Sequence, residues 1–189
     1  MKLNKLIAIA TISLLSGGIS MAQKALNLED IVAGNIIQTK GIGSMTWLKD
    51  GERYSRLENN KQTGGTDIVA YRAKDNSREV IIPSSLLTDK STGRPIPVRS
   101  VSWSADNEKV LIYNNTRRVW RYDTRGDYWV LNLKDGALRQ LGKGMPESSM
   151  MFAKFSPDGT RVAYVSNNNI YVEDIDSGKI TQLTKDGSD

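Results

Sequence analysis

From Met45 onward, short runs of β-favouring residues alternate with polar turn residues. Three times this pattern pivots on one motif: an aromatic, two spacers, an Asp, then Gly or Asn. The copies are Trp47-Leu48-Lys49-Asp50-Gly51, Trp103-Ser104-Ala105-Asp106-Asn107 and Phe155-Ser156-Pro157-Asp158-Gly159, spaced by 56 and 52 residues. The aromatic closes a first strand. The Asp with its Gly or Asn makes a tight turn, because Asp bonds its own backbone and Gly or Asn accepts a positive φ. A second strand begins seven residues after the aromatic, at Tyr54, Val110 and Val162. A third is predicted at 67–71, 128–133 and 170–175, and a fourth at 79–82, 137–141 and 179–184.

Self-similarity at this period is the mark of a repeat architecture, and four short antiparallel strands per repeat are the content of a propeller blade. An open sandwich of similar hairpins is the competing arrangement. The fixed place of the aromatic in each unit favours an all-β fold, an incomplete β-propeller of about three four-stranded blades at 45–90, 98–144 and 150–189. Propellers close with roughly four to eight blades, so the chain reads as truncated. Trp47, Trp103 and Phe155 hold equivalent positions and are expected to be structural blade anchors.

The segment before the repeats is of another kind. Lys2 and Lys5 precede the apolar run Leu6 to Leu15, and Ser20-Met21-Ala22 places small residues where a signal peptidase reads. A signal peptide at 1–22, cleaved near Ala22-Gln23, predicts an exported, periplasmic or extracellular protein. A lead-in segment at 23–44 holds a short helix at 25–32, capped by Asn27.

Composition then removes whole classes of chemistry. The chain has no Cys and no His, so neither a Ser-His-Asp triad, a Cys-His dyad nor a His-ligated zinc site can be built from it. No catalytic residue, metal site or cofactor is assigned. The formal charge of +5 includes two lysines of the leader, leaving about +3, which is weak for nucleic-acid binding. No nucleic-acid partner is expected.

One stretch breaks the repeat. The connection between second and third strands is short in the third unit, at Ser166-Asn167-Asn168-Asn169, but runs from Asn114 to Asp127 in the second. It carries Arg117, Arg118, Trp120, Arg121, Tyr122 and Arg125. Arginines interleaved with aromatics suit carboxylates, carbonyls or nucleic acid, and equally suit a solvated, strand-extended hairpin. Asp123 and Asp127 flank Arg125 and are placed for local ion pairs, and Asn114-Asn115-Thr116 matches a glycosylation sequon.

Trp120-Arg121-Tyr122-Asp123-Thr124, continuing into Asp127-Tyr128-Trp129-Val130-Leu131, resembles the second-blade segment of dipeptidyl peptidase IV-like enzymes, serine peptidases of the prolyl oligopeptidase family. Phe155-Ser156-Pro157-Asp158-Gly159, Val162-Ala163-Tyr164-Val165 and Asn168-Asn169-Ile170-Tyr171-Val172 are similar to the blade that follows. The opening Leu28-Glu29-Asp30-Ile31 and the Trp47 motif fit the family's start.

The resemblance implies an eight-bladed propeller followed by an α/β-hydrolase domain, which this chain lacks, and release of N-terminal dipeptides with Pro or Ala second. It implies a peptide substrate, a homodimer of the full-length enzyme, and a role for Arg121 in donating to a substrate carbonyl. The family's paired glutamates, nucleophile, Asp and His are expected after Asp189, and no Gly-x-Ser-x-Gly elbow occurs here. The chain alone should therefore be inactive. Tyr122 departs from relatives that carry His, and no role is assigned to it. The alternative function is a non-catalytic periplasmic propeller acting as a binding or scaffold module.

Overall fold

A computed structural model describes residues 27, 28, 32, 41 and 43–188. The expected leader at 1–22 lies outside them. Of the lead-in helix, Leu28 and Val32 are described, and both are helical and exposed.

Residues 45–182 form three four-stranded antiparallel sheets, each built from strands consecutive in the chain. The first holds β1 (Met45–Trp47), β2 (Arg53–Asn59), β3 (Thr66–Arg72) and β4 (Arg78–Ile82). A 3-10 turn at Ser84–Leu87 and a two-stranded ribbon, β5 (Thr88–Asp89) with β6 (Arg94–Pro95), lead onward. The second sheet holds β7 (Ser100–Trp103), β8 (Lys109–Val119), β9 (Tyr122–Asn132) and β10 (Leu138–Gln140). The third holds β11 (Met151–Phe155), β12 (Arg161–Ser166), β13 (Asn169–Asp174) and β14 (Ile180–Gln182). These are propeller blades in strand number, order and pairing.

The repeat motif sets the register of each sheet. Trp47 pairs with Tyr54, Trp103 with Val110 and Phe155 with Val162. The turn between them has one geometry. Gly51, Asn107 and Gly159 have φ of 69°, 59° and 66°, and their N–H groups bond the carbonyls of Leu48, Ser104 and Ser156. Each Asp carboxylate accepts the backbone N–H two residues on, from Glu52, Glu108 and Thr160. The positive φ therefore falls where the sequence places Gly or Asn.

Side chains alternate between faces, and both faces of the second sheet are apolar. Val110, Ile112 and Leu131 pack on Ile68, Ile82, Leu87 and Ile96. On the other face, Leu111, Tyr128 and Val130 pack on Ala153, Val162, Tyr164 and Ile175. The sheets thus stack in chain order. We call "front" the face of each sheet that carries the aromatic of the motif. The front of the second and third sheets lies on the back of the sheet before. Trp103 reaches across the first seam, its indole N–H donating to Ser55 Oγ at 3.1 Å. Phe155 packs at the second seam. Trp47 holds the equivalent place on the front of the first sheet and is 57% exposed.

The second seam also contains a charge. Glu173 is 2% exposed and accepts from Gly142 N at 2.8 Å, Arg139 Nη2 at 3.1 Å and the Tyr164 hydroxyl at 3.2 Å. These donors replace the water that a buried carboxylate loses. Burial, with Glu173 alongside, raises the pKa of Tyr164 and keeps its hydroxyl a donor.

Candidate functional site

The stretch that breaks the repeat folds as more strand. β8 and β9 are each 11 residues long, against 7 for β2 and 6 for β12. They carry a hairpin beyond the end of their own sheet. Val119 pairs with Tyr122 to close it, leaving Trp120 and Arg121 as a two-residue turn. Such turns need a positive φ at their first position or at both, a role usually filled by Gly or Asn. Here Trp120 takes φ of 61°. A bulky residue in that region is uncommon and costs energy. Its ring gains no compensating burial, because Trp120 is 94% exposed.

The hairpin root is firmly held. Register shifts around Arg117 twist the strands away from the plane of the sheet. Tyr113 stacks on Tyr128 with ring centroids 4.8 Å apart. Its hydroxyl reaches the carbonyls of Asp123 and Arg125 at 3.0 and 2.9 Å. Burial, with Tyr128 and Asp123 nearby, pushes that hydroxyl up to about 12, so it stays a donor at working pH. Gly126 exchanges two backbone hydrogen bonds with Met150 at 3.0 and 3.1 Å, tying the hairpin to the third sheet's entry. A Cβ on Gly126 would meet the Tyr113 ring and stand 2.7 Å from the Asn114 carbonyl oxygen, so only glycine fits.

The acidic residues of this stretch serve as braces. Asp123 pairs with Arg99 at 3.0 Å, and Asp127 accepts from Asn115 Nδ2 at 2.7 Å and Ser148 N at 2.8 Å. Neither pairs with Arg125, where the sequence had placed local ion pairs. Asn114 of the sequon is buried in the middle of β8, which leaves no room for a glycan at its side chain.

The tip contrasts with the root. Arg117, Arg118, Trp120, Arg121 and Tyr122 are all exposed. The Arg121 carbonyl accepts from Arg118 Nη2 at 3.4 Å. Among the described residues none bonds the Arg121 guanidinium. A permanently charged fork with five donors therefore stands free on a braced arm, between Trp120 and Tyr122. Such a group can bind a carbonyl or carboxylate that comes to it. Trp47, Trp103 and Phe155 lie in the stacked sheets, apart from this tip. Among the described residues no cluster of acidic side chains is arranged to hold a metal.

The bracing roles of Tyr113 and Arg99 have no signal in the sequence, whereas Gly126 has one, as a lone glycine inside a β-rich run, which marks a close backbone approach.

Residues 104–189 match the family described as the dipeptidyl peptidase IV N-terminal region. A probable dipeptidyl-aminopeptidase B from Aspergillus terreus is 26% identical over 181 residues, covering 91% of this chain and 20% of that protein. The protein of the same name from Chaetomium globosum is 32% identical over 87 residues, 46% of this chain and 9% of its own length. The crystal structure of Porphyromonas gingivalis dipeptidyl peptidase 4 superposes with a TM-score of 0.65 at 24% identity. It covers 87% of this chain and 22% of that one, and shows that the fold is shared. The chain thus spans a fifth or less of the length of these curated relatives.

Proposed function

From this likeness to the N-terminal region of dipeptidyl peptidase IV, we propose that the chain forms the opening part of the propeller of an exported serine exopeptidase. In this reading the enzyme releases N-terminal dipeptides with Pro or Ala second. The propeller limits access and positions the peptide, and the chemistry is done by an α/β-hydrolase domain that the 189 residues do not include. The observation that carries the reading is the free guanidinium of Arg121 at the tip of a hairpin whose root is braced from three sides.

Arg121 donates to a backbone carbonyl of the bound peptide. A charge-assisted hydrogen bond of this kind contributes about 1.5–3 kcal/mol. Its use lies in orientation, because a peptide held at a fixed carbonyl presents its scissile bond at a fixed distance. The bracing of the hairpin root keeps that distance constant. The exposed Trp120 and Tyr122 flank the guanidinium and shield the bond from water once a peptide is seated.

The test uses the polypeptide that carries this region together with its hydrolase domain. Reporter peptides with Pro or Ala second and a free N-terminus should be cleaved after the second residue. The same peptides with an acetylated N-terminus should not be. Cleavage of acetylated substrates, or within a longer peptide, would overturn the exopeptidase reading.

A further inference from the structure

Below its tip the arm carries charge that goes unneutralised among the described residues. Arg117 and Arg125 are cross-strand partners two rungs from the closing pair Val119-Tyr122. Their side chains leave the same face from Cβ atoms about 5 Å apart, and like charges so placed destabilise a strand pair. Neither guanidinium has a hydrogen bond or an ion pair with any described residue. The rung between pairs Arg118 with Asp123, the one acid among residues 116–125. That carboxylate turns to Arg99 instead, at 3.0 Å, and Arg118 donates to the Arg121 carbonyl at 3.4 Å.

The acids at the root are taken up too. Asp127 accepts from Asn115 and Ser148, and Glu147 accepts from Asn115. Residues 116–125 thus hold four arginines against one carboxylate, and a fifth arginine from another segment has claimed it. An anion set between Arg117 and Arg125 relieves their repulsion. A carboxylate suits the place, because its two oxygens match the donor forks of guanidinium groups. The pair stands three rungs from the turn that carries Arg121, roughly 10 Å at the rise of a strand. An extended peptide has the same rise, so one held on Arg121 and running along the arm reaches the pair about three residues further on.

We propose that Arg117 and Arg125 form a carboxylate clamp, which selects peptides bearing an acid a few residues beyond the carbonyl held by Arg121. The inference rests on the peptide-positioning role proposed for the arm and adds a substrate preference to it. With the held carbonyl in the N-terminal dipeptide, the acid falls at the fourth or fifth residue. It is supplied by a Glu or Asp side chain, or by the free C-terminus of a peptide of that length. The surplus of arginines also sets up a positive field along the arm, which steers acidic peptides to it and fades with salt.

The test is calorimetric titration of the polypeptide that carries this region together with its hydrolase domain. The probes are N-acetylated, C-terminally amidated hexapeptides with Pro second, neutral except for one Glu placed in turn at positions three to six. Glu at the fourth or fifth residue should tighten binding about tenfold over Gln at low salt, and the gain should shrink as salt rises. Neutral pentapeptides with a free or an amidated C-terminus read the other source of the carboxylate. Arg117→Gln and Arg125→Gln should each bring the Glu-to-Gln ratio to within about twofold. Arg117→Glu should turn it in favour of a Lys peptide, and Arg117→Lys, which keeps the charge, should retain part of it. Equal binding of Glu and Gln peptides, or no binding of either at millimolar concentration, would overturn the inference and show the arginines neutralised from within the protein. So would a preference that survives both Gln substitutions together, or an oligonucleotide that binds the same arginines more tightly at the same salt. The acetylated peptides are bound without turnover, so a Glu preference in an enzyme that fails to release dipeptides would sink the exopeptidase reading and leave the clamp standing.

Discussion

At Gly126 the backbone of β9 passes so close to Tyr113 and the Asn114 carbonyl that no side chain fits between them. Gly126→Ala should therefore push the Tyr113 ring off Tyr128 and loosen the bonds to Met150. A loss of about 2 kcal/mol is expected, of the size seen when extra atoms are forced into a packed site. Thermal melts of the chain check this, and an unchanged midpoint would show that the Tyr113 contact is slack. Trp120 poses the reverse case, since its positive φ is the kind of strain usually relieved by glycine. Gly126 is marked in the sequence only as a lone glycine in a β-rich run, and the strain at Trp120 is not marked at all. The turn at Trp120-Arg121 lacks the Gly or Asn that marks a two-residue hairpin, so the strand-extended hairpin is only one of the readings that the stretch from Asn114 to Asp127 allows, and its turn is not located. The buried Glu173 was equally hidden, because the donors that satisfy it from the second sheet, Arg139 and Gly142, lie 34 and 31 residues away.

At the scale of the element, the three motif turns are the most legible part of the fold. The seven-residue step from aromatic to second strand is a local quantity, and it emerges as the register pairs Trp47-Tyr54, Trp103-Val110 and Phe155-Val162. The same turns make the sheets sensitive to acid. Hydrogen bonds from Arg53 hold the Asp50 carboxyl down at about 2, from its ordinary 3.8. The Ser156 hydroxyl and the Thr160 amide do the same for Asp158, also to about 2. Ser104 and the Glu108 amide lower Asp106. A carboxyl whose pKa is lower folded than unfolded adds stability above its unfolded value and loses it as pH falls through the folded one. Stability should thus be level from about pH 5 to 9 and fall between about pH 4 and 2. Denaturant melts across that range check the trend, and Asp106→Asn with Asp158→Asn should flatten it. A wild-type profile with no fall below pH 4 would show that the turns do not depend on ionised Asp.

At the scale of the whole molecule, the stacking of sheets follows from alternation within each strand. The second sheet is apolar on both faces, as a middle layer must be. What composition and repeat could not supply was the direction in which the irregular segment projects. That direction depends on bulges around Arg117 and on a bridge from Gly126 to Met150, both set by tertiary contact. The result is an arm with a rigid base and a free cationic tip.

The most direct test of that arm is the kcat/KM of Arg121→Ala in the peptidase that carries this region, measured on a Gly-Pro reporter peptide. Removing one charge-assisted hydrogen bond to the substrate backbone should lower kcat/KM by roughly one to two orders of magnitude. Arg121→Lys, which keeps the charge but loses the fork, should recover only part of it. Wild-type kinetics in Arg121→Ala would contradict the account.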